Sequence, residues 1–288
     1  MNRRYSAMTV SAGLCLTLAA CGGGSTTDTA ASGKASGSGC TPKHEGLRTI
    51  QKGSLSVAAY VYPPFSDVKG QTLGGAEGEI VTKIAAMECL GVKVVPGAAS
   101  AMIPSIVSKR ADTTIGSWYR TAERQKVVRI GAPVIVDRLT LVSKAGVAAI
   151  PDLQGKKVGS ILGFLWNDDL KKALGGNVKF YDTSQAMYAD LAAGRIDVIV
   201  DTYPSAQAVL KTVRIEGLKF EVPPADPAVL STQKPGQTEF PVSKDNEALG
   251  KATDEDIAEL RQSGELKSIV VKYGFQPAAA DPGKPNLL

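Results

Sequence analysis

An alternation of short apolar strands with amphipathic helices is the feature that most constrains the fold of this chain. Such alternation is typical of α/β layers with largely parallel sheets. The first series has predicted strands at residues 55–60, 92–95 and 113–115, with helices at 79–89 and around Pro104. The second series has predicted strands at residues 139–142, 157–160, 178–181, 196–200 and 220–222, with helices at 166–174 and 184–193.

The two series share a local pattern in which a helix end is followed by Arg-x-Asp and then by a strand. Arg110-Ala111-Asp112 carries this pattern in the first series, and Arg195-Ile196-Asp197 carries it in the second. The repetition suggests two lobes of similar build. Two more helices, at residues 249–260 and 266–273, follow the second series.

The beginning of the chain has the pattern of an exported protein. Arg3 and Arg4 precede an apolar run at residues 7–20 that is too short for a permanent membrane-spanning helix. Leu18-Ala19-Ala20-Cys21 resembles the lipobox of bacterial lipoproteins, in which the cysteine is acylated, for example with palmitate, and becomes the mature N-terminus. The alternative is a cleaved signal peptide with a chance cysteine.

We therefore predict a lipoprotein signal peptide at residues 1–20 and a lipid anchor on Cys21. The next stretch consists mostly of Gly, Ser, Thr and Ala, which cannot bury enough apolar surface to offset the entropy lost on ordering. Residues 21–45 are accordingly predicted to be a flexible linker. No second apolar stretch is long enough to cross a bilayer, so the anchor is the predicted membrane attachment.

The four cysteines divide into two groups. Cys15 leaves with the signal peptide and Cys21 is taken by lipid, which leaves Cys40 and Cys89 in an oxidising compartment. A disulfide between them would close a loop of about 50 residues and contribute roughly 4 kcal/mol. Two separate thiols are the alternative. The single histidine, His44, has no evident ligand set around it, so no metal site is predicted.

The charge of the chain is mild. The formal net charge is +5, and Arg3 and Arg4 would leave with the signal peptide. The lysines are dispersed, whereas a nucleic-acid-binding protein would show a basic face or stripe. We therefore expect no nucleic-acid partner.

Four segments carry a resemblance to a known family. They are Tyr62-Pro63-Pro64-Phe65, Gly75-Ala76-Glu77-Gly78-Glu79-Ile80-Val81, Thr121-Ala122-Glu123-Arg124-Gln125-Lys126-Val127-Val128 and Leu153-Gln154-Gly155-Lys156-Lys157-Val158-Gly159. In their order and spacing the chain resembles the extracellular solute-binding proteins, family 3, of amino-acid-type ABC importers. The resemblance runs over residues 53–274.

The resemblance implies an α/β, two-lobed fold of the type II periplasmic-binding-protein kind. Two mixed-sheet α/β lobes are joined by a two-strand hinge and hold the ligand between them. We place the strand crossings near residues 136–140 and 238–242. Lobe 1 is then predicted at residues 46–138 and 239–276, lobe 2 at 139–238, and a surface tail at 277–288.

By the same resemblance, Arg124 holds the ligand carboxylate, and Ser117 contacts the same group. A guanidinium offers parallel donors that fit a carboxylate in a bidentate manner. The alternative is a solvated arginine at a helix start, paired with Glu123 or a neighbour.

Several positions depart from the family pattern. The family's threonine pair after Gly163 is replaced by Phe164, Leu165 and Trp166. Its ammonium-binding aspartate aligns with Thr202, one residue after Asp201. Its first-strand aspartate is replaced around Ala59-Tyr60. The residues that recognise an α-amino acid in the family are therefore only partly present in this chain.

Aromatic residues are abundant on the segments that line the cleft in the family. They are Tyr62, Phe65, Trp118, Tyr119, Phe164, Trp166 and Tyr203. An aromatic cage with Arg124 would suit a zwitterion with a bulky, methylated or cyclic cationic end. The alternative is that several of these rings pack the lobes. Glu77 and Asp201 are the candidate carboxylate partners for an amine.

The resemblance implies a monomeric, lipid-anchored protein on the extracellular face of the cytoplasmic membrane, which delivers a small carboxylate solute to an ABC permease without a cofactor. A ligand sensor for a membrane receptor is one alternative. Another is an enzyme of the same fold, such as a cyclohexadienyl dehydratase, with Glu77 as its general acid. The chain has no His-based acid/base group and no Gly-x-Ser-x-Gly motif, so we predict that it is not an enzyme.

Overall fold

The computed structural model describes residues 39–288. The predictions of a signal peptide, of lipidation at Cys21 and of a linker up to residue 38 lie outside the described residues. Within residues 39–288, no helix combines the length and the apolar character needed to cross a membrane.

The secondary structure alternates as the sequence predicts. The strands of the described part are β1 (Ser54–Ala59), β2 (Asp67–Lys69), β3 (Thr72–Gly74), β4 (Gly91–Pro96), β5 (Thr113–Thr114), β6 (Val136–Asp137), β7 (Leu139–Ser143), β8 (Val158–Ile161), β9 (Val178–Tyr181), β10 (Val198–Thr202), β11 (Lys219–Glu221) and β12 (Gly236–Gln237). Its α-helices are α1 (Gly75–Met87), α2 (Met102–Val107), α3 (Ala122–Gln125), α4 (Asn167–Leu174), α5 (Ser184–Ala192), α6 (Tyr203–Leu210), α7 (Glu247–Gln262) and α8 (Glu265–Lys272).

The first lobe is built on a parallel sheet. Strand β1 lies at its centre, with β4 on one side and β5 on the other. Residues Leu55 to Ala59 are all buried, as expected for a central strand covered on both faces. Helix α1 turns its buried Ile80 and Ile84 toward the core that contains β1. Val242 adds antiparallel bridges to Thr113 and Arg129, which makes this layer mixed.

The second lobe is built on a five-stranded mixed sheet in the order β11-β7-β10-β8-β9. Strand β7 runs antiparallel to both β10 and β11, whereas β8 is parallel to β10 and β9. The two sheets confirm the predicted pair of mixed α/β lobes.

A two-stranded antiparallel ribbon connects the lobes. Strand β6 pairs with β12, and Gly236 lies opposite Asp137. The Thr238 N–H donates to the Ile135 carbonyl over 2.8 Å, which continues the ribbon. Strand β6 lies within the first predicted crossing at residues 136–140, and β12 ends one residue before the second at 238–242. The predicted lobe limits, which fall just after each strand of this ribbon, stay a prediction.

A disulfide between Cys40 and Cys89 joins the N-terminal segment to the end of α1, with a Cα–Cα distance of 5.9 Å. This confirms the predicted pairing. The Lys43 N–H also donates to the Met87 carbonyl over 3.1 Å. The prediction of a flexible linker up to residue 45 is therefore wrong at its end, because a covalent bond and hydrogen bonds hold residues 40–44 on the first lobe.

The C-terminal residues do not trail freely over the surface, as predicted from their lack of periodicity. The Leu288 N–H donates to the Arg120 carbonyl over 3.0 Å, and the Ala122 N–H donates to the Leu288 carbonyl over 2.9 Å. The hinge residue Gln237 donates from Nε2 to the carbonyls of Pro282 and Lys284. The tail is held by backbone polar groups, which leave no hydrophobic period in a sequence.

Candidate functional site

A narrow cavity lies between the two sheets. In α/β folds, ligands bind beyond the carboxyl ends of strands, and the lining segments follow or end such strands. Residues of both lobes line it, namely Tyr60, Tyr62, Gly116, Ser117, Trp118, Tyr119, Arg124, Phe164, Leu165, Trp166 and Thr202.

Seven of the predicted site residues line this cavity, and they come from both lobes. They are Arg124, Ser117, Trp118, Tyr119, Tyr62, Phe164 and Trp166. Five do not line it, and they are Phe65, Glu77, Gly163, Asp201 and Tyr203. The ligand-binding role of all twelve stays a prediction.

Arg124 is placed by a short helix whose first turn is capped by Thr121. The Arg124 N–H donates to Thr121 Oγ1 over 3.0 Å. The guanidinium lies 4.7 Å from the ring centroid of Trp118, and its Nη1 donates to the Tyr119 carbonyl over 2.7 Å. The suggested pairing of Arg124 with Glu123 is wrong, because Glu123 pairs with Lys126.

The Arg124 guanidinium is partly buried, and no carboxylate of residues 39–288 forms an ion pair with it. Desolvation lowers the pKa of Arg124 to about 10, so the group stays charged at neutral pH. One hydrogen bond leaves most of its five donors available to a ligand.

The loop after β5 is fixed by Glu77. Glu77 Oε2 accepts the N–H groups of Gly116 and Ser117 over 2.7 and 2.9 Å. Gly116 and Ser117 have φ angles of 120° and 61°, and a Cβ on Gly116 would lie 2.3 Å from Cε1 of Tyr60. The glycine is therefore required here. Burial raises the pKa of Glu77. Glu77 therefore positions this loop, and its contact with a ligand amine stays a prediction.

Asp201 lies behind the cavity wall. Its Oδ1 accepts the Tyr62 hydroxyl over 2.6 Å and the Thr202 N–H over 2.8 Å, and its Oδ2 accepts the Tyr188 hydroxyl over 3.1 Å. Asp201 is fully buried, and burial raises its pKa. Because Tyr62 belongs to the first lobe and Asp201 to the second, their hydrogen bond crosses the cleft.

The aromatic side chains form one continuous wall. Phe164 meets Tyr62 edge-on at 5.2 Å between centroids and Trp166 at 5.3 Å. The indole N–H of Trp166 donates to Ser160 Oγ and that of Trp118 to the Ile115 carbonyl. With the N–H groups used, the indoles contribute only their rings to the cavity wall, and the Arg124 guanidinium already lies over the ring of Trp118.

Phe65 lies in a second layer behind this wall. It stacks on Tyr62 at 5.5 Å and meets Phe275 edge-on at 5.0 Å. It is fully buried, so its role is to pack the first lobe. For this ring, the packing alternative that the sequence left open is the one the structure supports.

Gly163 and Tyr203 lie outside the lining of this cavity. A Cβ on Gly163 would lie 3.0 Å from the Cα of Ser100, so this glycine marks a close approach of the two lobes. Tyr203 begins α6, is 43% exposed and meets Phe220 at 6.3 Å. It faces a different groove, which Val136 of the hinge also lines. One residue after Thr202, the chain has already turned away from the cleft.

Four lining residues were absent from the predicted site, namely Tyr60, Gly116, Leu165 and Thr202. Tyr60 and Thr202 occupy positions at which this chain departs from the family pattern. Their places at the carboxyl ends of β1 and β10 were the signal that could have found them. The Tyr60 hydroxyl donates to the Gly116 carbonyl over 2.7 Å, so it also supports the loop.

Two buried acids lie at the hinge beside the cavity. Asp137 accepts the Ser117 hydroxyl over 3.2 Å, and desolvation raises its pKa to about 7. Glu239 accepts the Gly131 N–H, and desolvation raises its pKa to about 8. No sequence pattern indicates these groups, because their burial depends on the hinge ribbon.

Residues 55–276 match the family described as bacterial extracellular solute-binding proteins, family 3. The L-cystine-binding protein TcyJ of Escherichia coli (strain K12) is 30% identical over 243 residues, which are 80% of this chain and 86% of that protein. The lysine/arginine/ornithine-binding periplasmic protein of the same strain is 28% identical over 224 residues, covering 74% of this chain and 84% of that protein. These relatives are solute-binding transport proteins and not enzymes.

A similar fold has been solved for the substrate-binding protein of an amino acid ABC transporter. The TM-score is 0.69 at 24% identity, and the match covers 78% of this chain and 100% of that chain. At this identity the likeness shows the fold alone, which is the two-lobed type II fold.

Proposed function

Because the chain belongs to the bacterial extracellular solute-binding proteins, family 3, we propose that it is the lipid-anchored solute-binding component of an ABC importer for a small amino-acid-like or zwitterionic carboxylate. The Arg124 guanidinium at the inter-lobe cavity is the observation that carries the proposal. It is charged, partly desolvated and free of an ion-pair partner within residues 39–288.

The carboxylate of the solute is assigned to Arg124 and Ser117. Arg124 keeps unused donors for bidentate binding. Ser117, whose backbone is in the left-handed region, lines the cavity, and its hydroxyl donates to Asp137.

The cationic end of the solute is assigned to the aromatic wall of Tyr60, Tyr62, Phe164 and Trp166, since the ring of Trp118 already holds the Arg124 guanidinium. No Asp or Glu of the described residues lines the cavity. Aromatic faces attract a desolvated cation by about 0.5–2 kcal/mol each. An aromatic lining without a carboxylate favours a bulky, methylated or cyclic cation, whereas a primary amine would need a carboxylate partner.

The hinge ribbon and the cavity between the lobes support capture by domain closure. The lipobox-like Cys21 supports a tether on the extracellular face of the cytoplasmic membrane. A tether raises the effective concentration of the protein at its permease, which suits a monomer that delivers solute locally. The TcyJ and lysine/arginine/ornithine-binding relatives are named for amino acids, in line with a carboxylate solute.

The proposal is tested by a solute screen that uses the chain's two tryptophans, Trp118 and Trp166, as intrinsic fluorophores. Amino acids, betaines and cyclic zwitterions are titrated, each beside its amide or alcohol analogue. We expect quenching or a spectral shift with at least one carboxylate and none with its neutral analogue. Equal responses to both members of every pair would reject the proposed site.

A further inference from the structure

A second cluster of ligand-type side chains lies beside the disulfide. The imidazole Nδ1 of His44 is 2.6 Å from Glu88 Oε1, and the backbone N–H of His44 donates to Glu88 Oε2 over 3.0 Å. One donor atom each of His44, Glu88 and Asp256 lies within 4.8 Å of the other two. The expectation that no ligand set surrounds His44 is therefore wrong. Residues so far apart in the sequence form no recognisable spacing motif.

The two carboxylates are withdrawn from water. Glu88 is 4% exposed and Asp256 is 0% exposed. Asp256 Oδ2 is buried and has no hydrogen-bond partner within residues 39–288. A buried carboxylate oxygen without a partner is costly, because it loses water and gains nothing in return. A cation held between these groups would supply the missing partner.

We propose that His44, Glu88 and Asp256 bind one divalent transition-metal ion, for which zinc is the best match. A mixed set of one imidazole and two carboxylates suits zinc, with water in the fourth position. Calcium and magnesium prefer all-oxygen sites. Copper would bind the same donors at least as tightly in vitro.

Glu255 is placed to orient the imidazole. Its Oε2 lies 3.0 Å from His44 Nε2. Metal binding would release the proton that Nδ1 shares with Glu88 Oε1. With the remaining imidazole proton on Nε2, the ring donates to Glu255 and presents the Nδ1 lone pair to the metal. A carboxylate on the outer nitrogen is the usual support of a metal-bound histidine.

Lys43 is the competitor for the site. Its ammonium lies 3.0 Å from Asp256 Oδ1 and 2.8 Å from Glu259 Oε2. Glu259 is 58% exposed, so the lysine can keep that partner when a metal takes Asp256. Removal of the lysine charge should therefore tighten metal binding.

The site would clamp the N-terminal segment onto the first lobe. His44 lies four residues after Cys40, Glu88 is the C-cap of α1 and Asp256 lies in α7. None of the three lines the solute cavity. Failure of the metal proposal and failure of the proposed function are therefore separate outcomes.

The test is isothermal titration of the full chain with zinc chloride, on protein purified without a polyhistidine tag because His44 is its only histidine. We expect one zinc per chain. His44→Ala and Asp256→Asn should weaken binding by about tenfold or more, whereas Lys43→Met should tighten it by severalfold. Lys272→Met is the matched control, since it breaks the Lys272–Glu79 pair elsewhere, and should leave zinc affinity unchanged.

A measurement on the unaltered chain protects the test against variants that fail to fold. Zinc should shift the ¹⁵N resonances of the single imidazole. Cobalt should give the visible absorption band of a site with few ligands, all of them nitrogen or oxygen atoms. The absence of one-to-one binding, an unshifted imidazole, or a folded His44→Ala variant with full zinc affinity would each overturn the proposal.

Discussion

The Tyr62 hydroxyl donates to Asp201 over 2.6 Å, and this hydrogen bond joins the two lobes across the inter-lobe cavity. The carboxylate that sequence comparison offered as an amine partner is thus engaged in holding the lobes together. Its second oxygen is taken by Tyr188 of the second lobe. The proposed function accordingly assigns a cationic solute group to the aromatic faces.

Tyr62→Phe should weaken solute binding by about tenfold, because a hydrogen bond to a buried charged group is worth about 1.5–3 kcal/mol and this one links the two lobes around the cavity. Calorimetric affinities measure the effect. Tyr188→Phe is the matched control, since it removes an Asp201 hydrogen bond within one lobe. It should lower thermal stability and leave solute affinity nearly unchanged. Equal affinity losses in both variants would contradict an inter-lobe role for Tyr62.

Gly163→Ala should reduce solute affinity by opposing closure, because the added Cβ would lie 3.0 Å from the Ser100 Cα at a φ of 90°. Gly155→Ala is the control, since its φ of 74° carries similar strain but its Cβ meets nothing within 4 Å. Both variants should lose about 1 kcal/mol of stability. Only Gly163→Ala should weaken binding, as calorimetry would show. Unchanged affinity in Gly163→Ala would remove the contact from the closure mechanism.

Stability should fall as pH rises through 7 and 8, because the pKa values of Asp137 and Glu239 are raised to about 7 and about 8 in the folded state. For a carboxyl whose folded pKa exceeds its unfolded value, the stabilisation is complete below the unfolded pKa and is lost as pH rises through the folded one. Thermal denaturation between pH 6 and 9 measures the slope.

Glu239→Gln is the companion variant, since an amide oxygen still accepts the Gly131 N–H and does not ionise. Its melting temperature should fall less steeply over this interval than that of the parent chain. Parallel slopes would show that Glu239 does not titrate in this interval.

Removal of residues 282–288 should lower the melting temperature, because Gln237 in the hinge would lose the Pro282 and Lys284 carbonyls as acceptors. Gln237→Ala should have a similar effect, and the combined change should be much less than additive. Denaturation of the two single changes and the double change gives the coupling. Full additivity would show that the tail and the hinge side chain act independently.

Much of the fold could be predicted from periodicity, because β1 and the strands of the second lobe are short apolar runs between turns. Helix α1 begins before its predicted start at residue 79. It begins at Gly75, where the Cβ of any other residue would lie 2.5 Å from the Phe65 carbonyl oxygen. The β2–β3 hairpin was missed, because three-residue strands carry no periodicity.

The position of a site residue could be predicted where the family resemblance assigns it a role, as for Arg124. It was harder to predict where a shift of one residue along a strand changes which side chain faces the cleft. Asp201 and Thr202 are neighbours, yet Thr202 lines the cavity and Asp201 lies behind Tyr62. The group around His44 depends on contacts across more than 200 positions of sequence. No local pattern could have shown it.

The most direct test of the proposed function is the affinity of Arg124→Ala for a solute identified in the screen, measured by calorimetry. We predict a loss of about tenfold or more, with Arg124→Lys only partly restoring binding because an ammonium lacks the bidentate donors. Lys126→Ala is the control, since it removes an exposed positive charge just after the same helix and should bind as the parent does. Unchanged affinity in Arg124→Ala would contradict the assignment of the carboxylate to this cavity.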